Sequence, residues 1–515
     1  TGSGTRTRIG RPPPPPPGPR APAVAPGACA DRESCLQIVD AFLDGQPRHS
    51  GLLQVRSPKA LGGGPCGGRC NLPGPCPEGP AKCRYDTYDA ALAALYYTKR
   101  GKLAQAKDIL DALVRVLYPT NSATFAPRAA KTVYRGVATG RTLTLLASSF
   151  NKAHAPAPGN YQDPFVTDGG VDTGNNAWAA LAFAHYAAAA GASCYAAVAR
   201  DVLGALASAG SCPASAFKGY MGHLPPYEGL YRSVEHNTDL IGLARVLGDA
   251  AVEANAKTFV RSMFGKNAGF NTTYATGTAA AERCDDTVAP GYAVAVDATF
   301  WNILADADPA VERVNSALRF ALRKPRPGKN GHKDSQGLWA TDVDTIYQGT
   351  PRRPRLSGFR FSTAGNGVQW EVTAGAVMGM VHYQGKFGAD AYPGGLNRYI
   401  EAARTSAKNL LSMYGGIPNT VLGGNYPAWQ AFSAYQPVDP AYPGGSDTGL
   451  GWPYLRYLGT APTAWVGLML LHQADASEPV DHNANPYAAP SRPVPAGGAD
   501  ATCLPNGAMA AASTV

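Results

Sequence analysis

The stretch YRSVEHNTDL, at positions 231–240, combines groups that can transfer protons with groups that can bind hydroxyls. Glu235, His236 and Asp239 lie directly before the apolar run 240–244, so they open a predicted helix. Acids at a helix start also suit the positive end of the helix dipole, which makes capping the alternative explanation. For His236 the alternative is a hydrogen-bonded core histidine. Glutamate is a poor N-cap, so Glu235 indicates a site wall more strongly than its neighbours do.

Similar groups open other predicted helices. Glu371 follows Trp370 at the start of one apolar helix, and Asp172 precedes Trp178 at the start of another. Capping explains a single Asp, such as Asp172 or Asp297, equally well. Taken together, paired carboxylates are what glycosidic cleavage requires, and aromatic rings can stack on sugar faces. The predicted catalytic residues are Glu235, Glu371 and Asp239, and the predicted substrate-binding residues are Asp89, Asp172, Asn176, Trp178, His236 and Trp370.

These helix starts can form one site only if the helices bring their beginnings together. From residue 85 onward, helices that are apolar all round alternate with helices that carry a charged stripe. A helix that is apolar all round is buried, and a striped helix lies at the surface. Twelve such helices, with the segment 35–45 closing the series, predict an all-α (α/α)6 toroid of six helical hairpins. Its inner helices run in one direction, so their polar starts gather around one mouth.

Three of the helix starts carry a resemblance to a known superfamily. VDTGNNAWAALAF, YRSVEHNTDLIGLARVL and VQWEVTAGAVMGMVHY are similar to the helix-start motifs of the six-hairpin glycosidase-like superfamily, over roughly residues 85–475. The resemblance implies a carbohydrate groove at the mouth of the toroid and no secure assignment of acid and base. The residues that it places in the groove are Asp172, Asn176, Trp178, Glu235, His236, Asp239 and Glu371.

Composition excludes several classes of function. The chain has 515 residues, 45% of them hydrophobic, and a formal net charge of +9. Its basic residues are scattered and form no nucleic-acid signature, so no nucleic acid partner is predicted. No Gly-rich phosphate loop and no nucleophile elbow are present, and we predict neither a cofactor nor a metal. No apolar run reaches about 18 residues, so no membrane span is predicted.

Cysteine usage predicts an oxidising compartment. Ten cysteines are present, and six of them lie within residues 29–83. Their spacings differ from the paired CxxC of a zinc ribbon, so disulfides are favoured over a metal site. Disulfides, a possible N-glycosylation site at Asn271 and a start without Met predict a processed, extracellular chain that is secreted or held in a cell wall.

The first 28 residues contain six consecutive prolines, which adopt extended polyproline II. This run, with the Ala-Pro and Val-Ala-Pro steps that follow, resembles the hydroxyproline-rich cell-wall glycoproteins of plants and green algae. The resemblance implies hydroxylated and O-glycosylated prolines, and a plain spacer is the alternative. The predicted glycosylated prolines are Pro12, Pro13, Pro14, Pro15, Pro16 and Pro17.

The chain therefore divides into four predicted parts. An extended arm (1–28) precedes a disulfide-stapled segment (29–84), and the toroid (85–475) carries a loop insertion at 324–368. A Pro/Ala-rich tail (476–515) is predicted to lie over the surface.

Two functions from different classes are consistent with this organisation. In the first, which the sequence slightly favours, the protein is a glycosylated cell-surface or matrix structural protein that binds other copies of itself into filaments through its arm. The arm has almost nothing apolar to bury, so it needs sugars or a neighbouring copy to lie on. In the second, the protein is a secreted glycoside hydrolase, or a polysaccharide lyase, that uses the carboxylates at the mouth.

Overall fold

A computed structural model describes the toroid and the segments that pack on it. The described residues are 29–49, 51–55, 83–118, 135–136, 141–151, 166–168, 170–224, 230–288, 293–323, 337–343, 355–365, 367–420, 445–450, 453–455 and 457–496. The Pro-rich arm, much of the Cys-rich segment, most of the predicted insertion and the end of the tail lie outside these residues, so the predictions made for them stay predictions.

Twelve α-helices are present in the described part of the chain, in the order that the sequence pattern predicts. They are α1 (Arg32–Asp44), α2 (Thr87–Arg100), α3 (Leu103–Leu117), α4 (Thr173–Ala190), α5 (Ser193–Gly210), α6 (Val234–Leu247), α7 (Ala250–Ser262), α8 (Asp297–Leu304), α9 (Val311–Ala321), α10 (Trp370–Phe387), α11 (Asn397–Tyr414) and α12 (Thr460–His472).

The even-numbered helices form a closed inner ring. Each packs on the next, from α2 through α4, α6, α8 and α10 to α12, and α12 packs on α2 again. The inner position follows from composition: α4 carries no Asp, Glu, Lys or Arg in 18 residues and is buried almost throughout. A helix without a polar face lowers its free energy only when it is surrounded by other helices.

The odd-numbered helices form the outer layer. Helices α3, α5, α7, α9 and α11 each pack on the inner helix that precedes them, and α1 packs on α12. The predicted all-α (α/α)6 toroid is therefore confirmed, including its closure by the segment near 35–45. Helix α1 reaches this place because its buried face, which includes Leu36, Val39 and Leu43, is apolar at helical spacing.

Short antiparallel strands connect the helices at the end of the ring where the inner helices begin. A three-stranded sheet has the order β3 (Arg84–Asp86), β6 (Ser149–Asn151), β7 (Val166–Asp168) and leads into α2. The predicted insertion contains a hairpin, in which Trp339 pairs with Phe359. The described strands are β1 (Arg48–His49), β2 (Leu52–Leu53), β3, β4 (Arg135–Gly136), β5 (Arg141–Thr142), β6, β7, β8 (Trp339–Val343), β9 (Arg355–Phe359), β10 (Gly445–Asp447) and β11 (Pro453–Leu455).

The cysteines of the described part are oxidised. Cys29 pairs with Cys35, within the Cys-rich segment, and Cys212 pairs with Cys284. Cys83 and Cys194 are also disulfide-bonded. None of the described helices combines the length and the hydropathy that crossing a membrane would need.

The tail after residue 475 lies over the surface in most of its described residues, and residues 484–487 are buried. Asn485 and Tyr487 are 2% and 0% exposed. The Tyr487 ring gains free energy by leaving water, and Asn485 donates a hydrogen bond from its side-chain amide to the Leu304 carbonyl oxygen at 2.9 Å. A Pro- and Ala-rich composition does not reveal these two anchors.

Candidate active site

One cavity of about 1070 Å³ lies at the end of the toroid where the inner helices begin. Inner helices that run in one direction bring their first turns to one mouth, as predicted. Among the predicted residues, Trp178 and His236 line this cavity together with a set of carboxyls. The carboxyl-bearing residues of the lining are Asp86, Asp89, Asp172, Glu235, Asp297 and Glu371.

Three predicted site residues do not line the cavity. Asn176 is fully buried, and its amide pairs with the backbone N–H and carbonyl of Leu146, so it fastens a loop to α4. Trp370 is also fully buried, which corrects its prediction as a sugar platform. Asp239 lies one turn beyond Glu235 on α6 and accepts a hydrogen bond from the Tyr487 hydroxyl at 2.7 Å. Asn176 and Trp370 point away from the opening because successive helix residues are rotated by about 100°, whereas Asp239 shares the face of Glu235 and lies one turn deeper.

Glu371, at the start of α10, is held by two tyrosines. The Tyr88 hydroxyl donates to Glu371 Oε1 at 2.6 Å and accepts a hydrogen bond from Trp465 Nε1 at 2.9 Å. Burial raises the pKa of Glu371 to about 7, against the opposing effect of hydrogen bonds from Tyr88 and Tyr454. The two phenol donors stabilise the ionised form, so Glu371 can change its charge near neutral pH.

Two further carboxyls stand on the neighbouring inner helices α6 and α8. Burial, followed by the negative charges of Asp297 and Asp239, raises the pKa of Glu235 well above its usual range. Burial also raises the pKa of Asp297 to about 7. Asp297 is the first residue of α8, and its carboxyl lines the cavity and accepts a hydrogen bond from the Ala298 backbone N–H. Glu235, Asp297 and Glu371 thus occupy three consecutive inner helices.

The neighbours of Asp172 favour its ionised form. It occupies the N-cap position of α4, yet its side chain does not cap the helix. Its carboxylate pairs with His223 Nε2 and accepts hydrogen bonds from the Ser148 hydroxyl at 2.6 Å and the Asn175 amide at 3.0 Å. Burial alone would raise the pKa of Asp172, but the contacts with His223, His236 and Ser148 outweigh burial and lower it.

His236 lies against Gly174 and is neutral. Its Nδ1 donates to the Gly222 carbonyl oxygen at 3.1 Å, which assigns the proton to Nδ1. Burial lowers the pKa of His236, against the attraction of Asp172. A Cβ atom at Gly174 would lie 2.6 Å from His236 Cδ2. The glycine of the TGNNAW sequence is therefore required by close packing.

Replacing Gly174 with alanine is expected to destabilise the protein by about 1–3 kcal/mol, because the new methyl group displaces the His236 ring. Thermal unfolding measures this loss, and Gly204→Ala is the matched control. Gly204 also lies within a helix but has no atom within 4 Å of its Cβ position, so alanine there should stabilise. Adding His236→Ala to Gly174→Ala should restore most of the loss. A Gly174→Ala variant as stable as Gly204→Ala would contradict this account of the contact.

Tryptophans form the floor of the cavity. The ring of Trp178 lies 5.3 Å from that of Trp465 and 5.8 Å from that of Trp301, centroid to centroid. Tyr88 meets Trp178 edge-on at 5.7 Å. This packing fixes the first turns of α2, α4, α8 and α12 relative to each other, because aromatic pairs in this geometry have few alternative arrangements.

Several cavity residues were not among the predicted site residues. Asp297 stands at a predicted helix start, where the sequence pattern is explained equally well by capping. Tyr88 stands next to Asp89 in DTYDAAL, and that neighbourhood was the signal that could have identified it. His223 and Tyr454 come from a loop and from β11, where no helical periodicity marks a side chain that faces the axis.

No group of three or more His, Cys, Asp or Glu side chains is placed to hold a metal ion within the described ranges. The side chains that line the mouth include carboxyls, phenols, imidazoles and indoles.

The sequence matches no protein-family model and no curated protein. Several solved structures are similar to it in fold. They include the endo-beta-1,4-glucanase CMCax from Acetobacter xylinum (12% identity, TM-score 0.40, 67% of this chain and 88% of that chain). A family 76 glycoside hydrolase from a bovine Bacteroides thetaiotaomicron strain is 10% identical (TM-score 0.46, 86% and 77% covered). A sugar epimerase from a ruminal bacterium is 14% identical (TM-score 0.47, 88% and 100% covered).

Proposed function

We propose that the protein binds a carbohydrate in the mouth cavity and hydrolyses a glycosidic bond there, with Glu235 as general acid and Glu371 as general base or nucleophile. One observation carries this proposal: carboxyls with different hydrogen-bond partners face one cavity from nearby inner helices. Glycosidic cleavage needs one protonated and one ionised carboxyl at the same pH.

The contacts distinguish the two roles. Glu371 receives O–H donors from Tyr88 and Tyr454, which favour its ionised form. Glu235 makes no side-chain hydrogen bond with the described residues, and the charges of Asp297 and Asp239 add to burial in holding its proton. When Glu371 ionises, its charge strengthens this effect on Glu235. Carboxyls that repel each other in this way lose their protons one after another.

The charge of the cavity limits the class of sugar. Six carboxyls line it, and Arg84 is the one Lys or Arg among the lining residues that the structure describes. A uronate or a sulfated sugar would be repelled by Asp172 and by each cavity carboxyl that ionises. Neutral sugars, or sugars that carry an amine, suit this wall. This argues for a hydrolase over a lyase, because a lyase must neutralise the carboxylate of a uronate.

The test is hydrolysis of a panel of oligosaccharides, measured by the release of reducing ends. The panel contains neutral, amine-bearing and uronate-bearing chains. The intact protein should cleave a neutral or amine-bearing member, and Glu235→Gln should not. Glu312→Gln is the control, because Glu312 is exposed on the outer helix α9. Cleavage that survives in Glu235→Gln, or no cleavage of any member by the intact protein, would reject the proposal.

Replacing Tyr88 with phenylalanine is expected to move the acidic limb of the pH–rate profile to higher pH by about one unit. The Tyr88 hydroxyl stabilises ionised Glu371, so its loss raises the pKa of a base that must be ionised to act. Tyr97→Phe is the matched control, because the Tyr97 hydroxyl donates to Asp44 Oδ1 at 2.6 Å, away from the cavity. An acidic limb that stays in place, or moves to lower pH, would exclude Glu371 as the base.

The filament-forming role stays a prediction, because the arm lies outside the described residues. The glycosylation of its prolines and the binding of other copies are predictions for the same reason. Asn271 lies in an exposed turn, and its glycosylation is likewise a prediction. The disulfides and the described helices are compatible with an extracellular protein. Removing residues 1–28 and following assembly by light scattering tests the role of the arm separately from hydrolysis.

A further inference from the structure

Residues 481–488 cross the end of the toroid opposite the mouth. Nδ1 of His472, the last residue of α12, donates to the Asp481 carbonyl oxygen at 2.8 Å. His185 Nε2, on α4, donates to the Pro486 carbonyl oxygen at 2.8 Å. Arg245 Nη1, on α6, donates to the Tyr487 carbonyl oxygen at 3.3 Å. With the Asn485 contact to the last residue of α8, this segment is tied to four inner helices.

Tyr487 enters the axis of the ring from this end. Its side chain is fully buried, and its ring lies 5.5 Å from the ring of Trp178 and 6.5 Å from that of Trp301. A Cβ atom at Gly242 would lie 2.2 Å from Tyr487 Cδ1, so a glycine on α6 makes room for the ring. Tyr487 therefore packs against the tryptophans of the cavity floor on the side that faces away from the mouth.

The Tyr487 hydroxyl reaches the carboxyl that lies beneath the cavity. It donates to Asp239 Oδ1 at 2.7 Å, and Asp239 is fully buried. The other oxygen, Asp239 Oδ2, approaches Gly174 on the side where His236 packs. Asp239 is thus placed between the C-terminal segment and the residues of the mouth.

We propose that residues 481–488 form an internal plug and that Tyr487 is a positioning residue, which acts through Asp239 and the tryptophan floor on Glu235. The catalytic part of this inference rests on the proposed function, whereas the linkage from Tyr487 through Asp239 to Glu235 does not. A segment at the far end of the ring would then set the protonation and the position of a group at the mouth.

The groups around Asp239 determine the direction of the effect. Asp239 faces Tyr487 from the plug, Asp297 from α8 and Trp178 from α4, and Glu235 and His236 share its own helix. Burial raises the pKa of Asp239 well above its usual range, and the Tyr487 hydroxyl opposes that increase. Without this hydroxyl, Asp239 holds its proton to higher pH and places less negative charge beneath Glu235. Glu235 then loses its own proton at lower pH.

The experiment compares Tyr487→Phe with Tyr274→Phe in the full chain. Tyr274 is a matched control, because it is a buried tyrosine whose hydroxyl donates to the buried Asp308 Oδ2 at 2.9 Å, outside the cavity lining. Both variants lose one hydrogen bond and should show a similar fall in Tm. Tyr487→Phe alone should lower kcat about tenfold and move the basic limb of the pH–rate profile down by about half a pH unit.

A second readout needs no substrate. Tryptophan fluorescence is followed against pH, because Trp178 lies beside Asp239. The transition that reports Asp239 should move to higher pH in Tyr487→Phe and stay in place in Tyr274→Phe. Asp239→Asn should abolish this transition, and adding Tyr487→Phe to it should have no further effect on the pH–rate profile.

The outcomes separate the two proposals. If the fluorescence transition moves as expected but the intact protein cleaves no glycan, the linkage from Tyr487 to Asp239 stands and the proposed hydrolase does not. If the intact protein is active and Tyr487→Phe behaves like Tyr274→Phe in both readouts, the plug is structural only and this inference is overturned.

Discussion

Replacing Glu371 with glutamine is expected to lower kcat/KM for glycosidic hydrolysis by about 10²- to 10⁴-fold, and Glu235→Gln is expected to have an effect of the same size. An amide keeps the volume of each side chain but can neither accept a proton as a base nor deliver one as an acid. Steady-state kinetics on the cleaved oligosaccharide measure both losses, with Glu312→Gln as the unaffected control.

The leaving group distinguishes the two roles. A substrate with an aryl leaving group of low pKa departs without protonation, so Glu235→Gln should recover much of its activity on it. Glu371→Gln should not recover, because the attack at the sugar carbon still lacks its base or nucleophile. Recovery of Glu371→Gln instead of Glu235→Gln would exchange the assignments, and full activity of both variants would remove the carboxyls from the mechanism.

Replacing Arg232 with methionine is expected to cost about 2–4 kcal/mol of the free energy of unfolding, because several hydrogen bonds of a buried guanidinium are lost. Arg232 is fully buried, and its Nη2 donates to Asp286 Oδ1 at 2.7 Å and to the Asp285 carbonyl oxygen. Its Nη1 donates to the Ser215 hydroxyl and the Lys218 carbonyl oxygen. Methionine fills part of the volume but leaves the Lys218 and Asp285 carbonyl oxygens without this donor, whereas Asp286 keeps hydrogen bonds from the Ser215 hydroxyl and the Ala216 N–H.

Denaturant unfolding measures this loss, and Arg398→Met, an exposed arginine of α11, should change stability by less than about 0.5 kcal/mol. The stability of Arg232→Lys should lie between those of Arg232→Met and Arg398→Met, because an ammonium group keeps the charge but lacks the planar geometry of the guanidinium group. Arg232 lies two residues before the first turn that carries Glu235, so hydrolysis should fall together with stability. An Arg232→Met variant as stable as Arg398→Met would show that this network contributes little.

The fold could be predicted from the sequence because two periodic signals agree. The inner helices are apolar all round and the outer helices carry stripes, so the two layers follow from burial alone. The shared direction of the inner helices then brings Glu235 and Glu371 to one mouth, although they stand far apart along the chain. Helix α1 could be placed for the same reason, since its apolar face had one remaining position to cover.

The individual contacts of the site could not be predicted in the same way. Trp370 and Glu371 are adjacent in sequence, yet a rotation of about 100° buries one and exposes the other to the cavity. The phenols that hold Glu371 come from α2 and β11, and no local pattern links them to it. The burial of Tyr487 could not be predicted, because Tyr487 is an isolated aromatic residue among Ala and Pro. Only the packed structure shows that its ring fills the axis of the toroid.

The central claim is that, in one cavity, Glu235 keeps its proton while Glu371 is ionised. Infrared difference spectroscopy across a pH titration measures this directly, because protonated carboxyls and carboxylates absorb at different frequencies. At a pH at which Glu371 has ionised, the intact protein should retain a protonated carboxyl that disappears in Glu235→Gln, and part of the carboxyl signal that titrates near pH 7 should disappear in Glu371→Gln. A spectrum with no protonated carboxyl above pH 6 or so, or one unchanged by Glu235→Gln, would contradict the account.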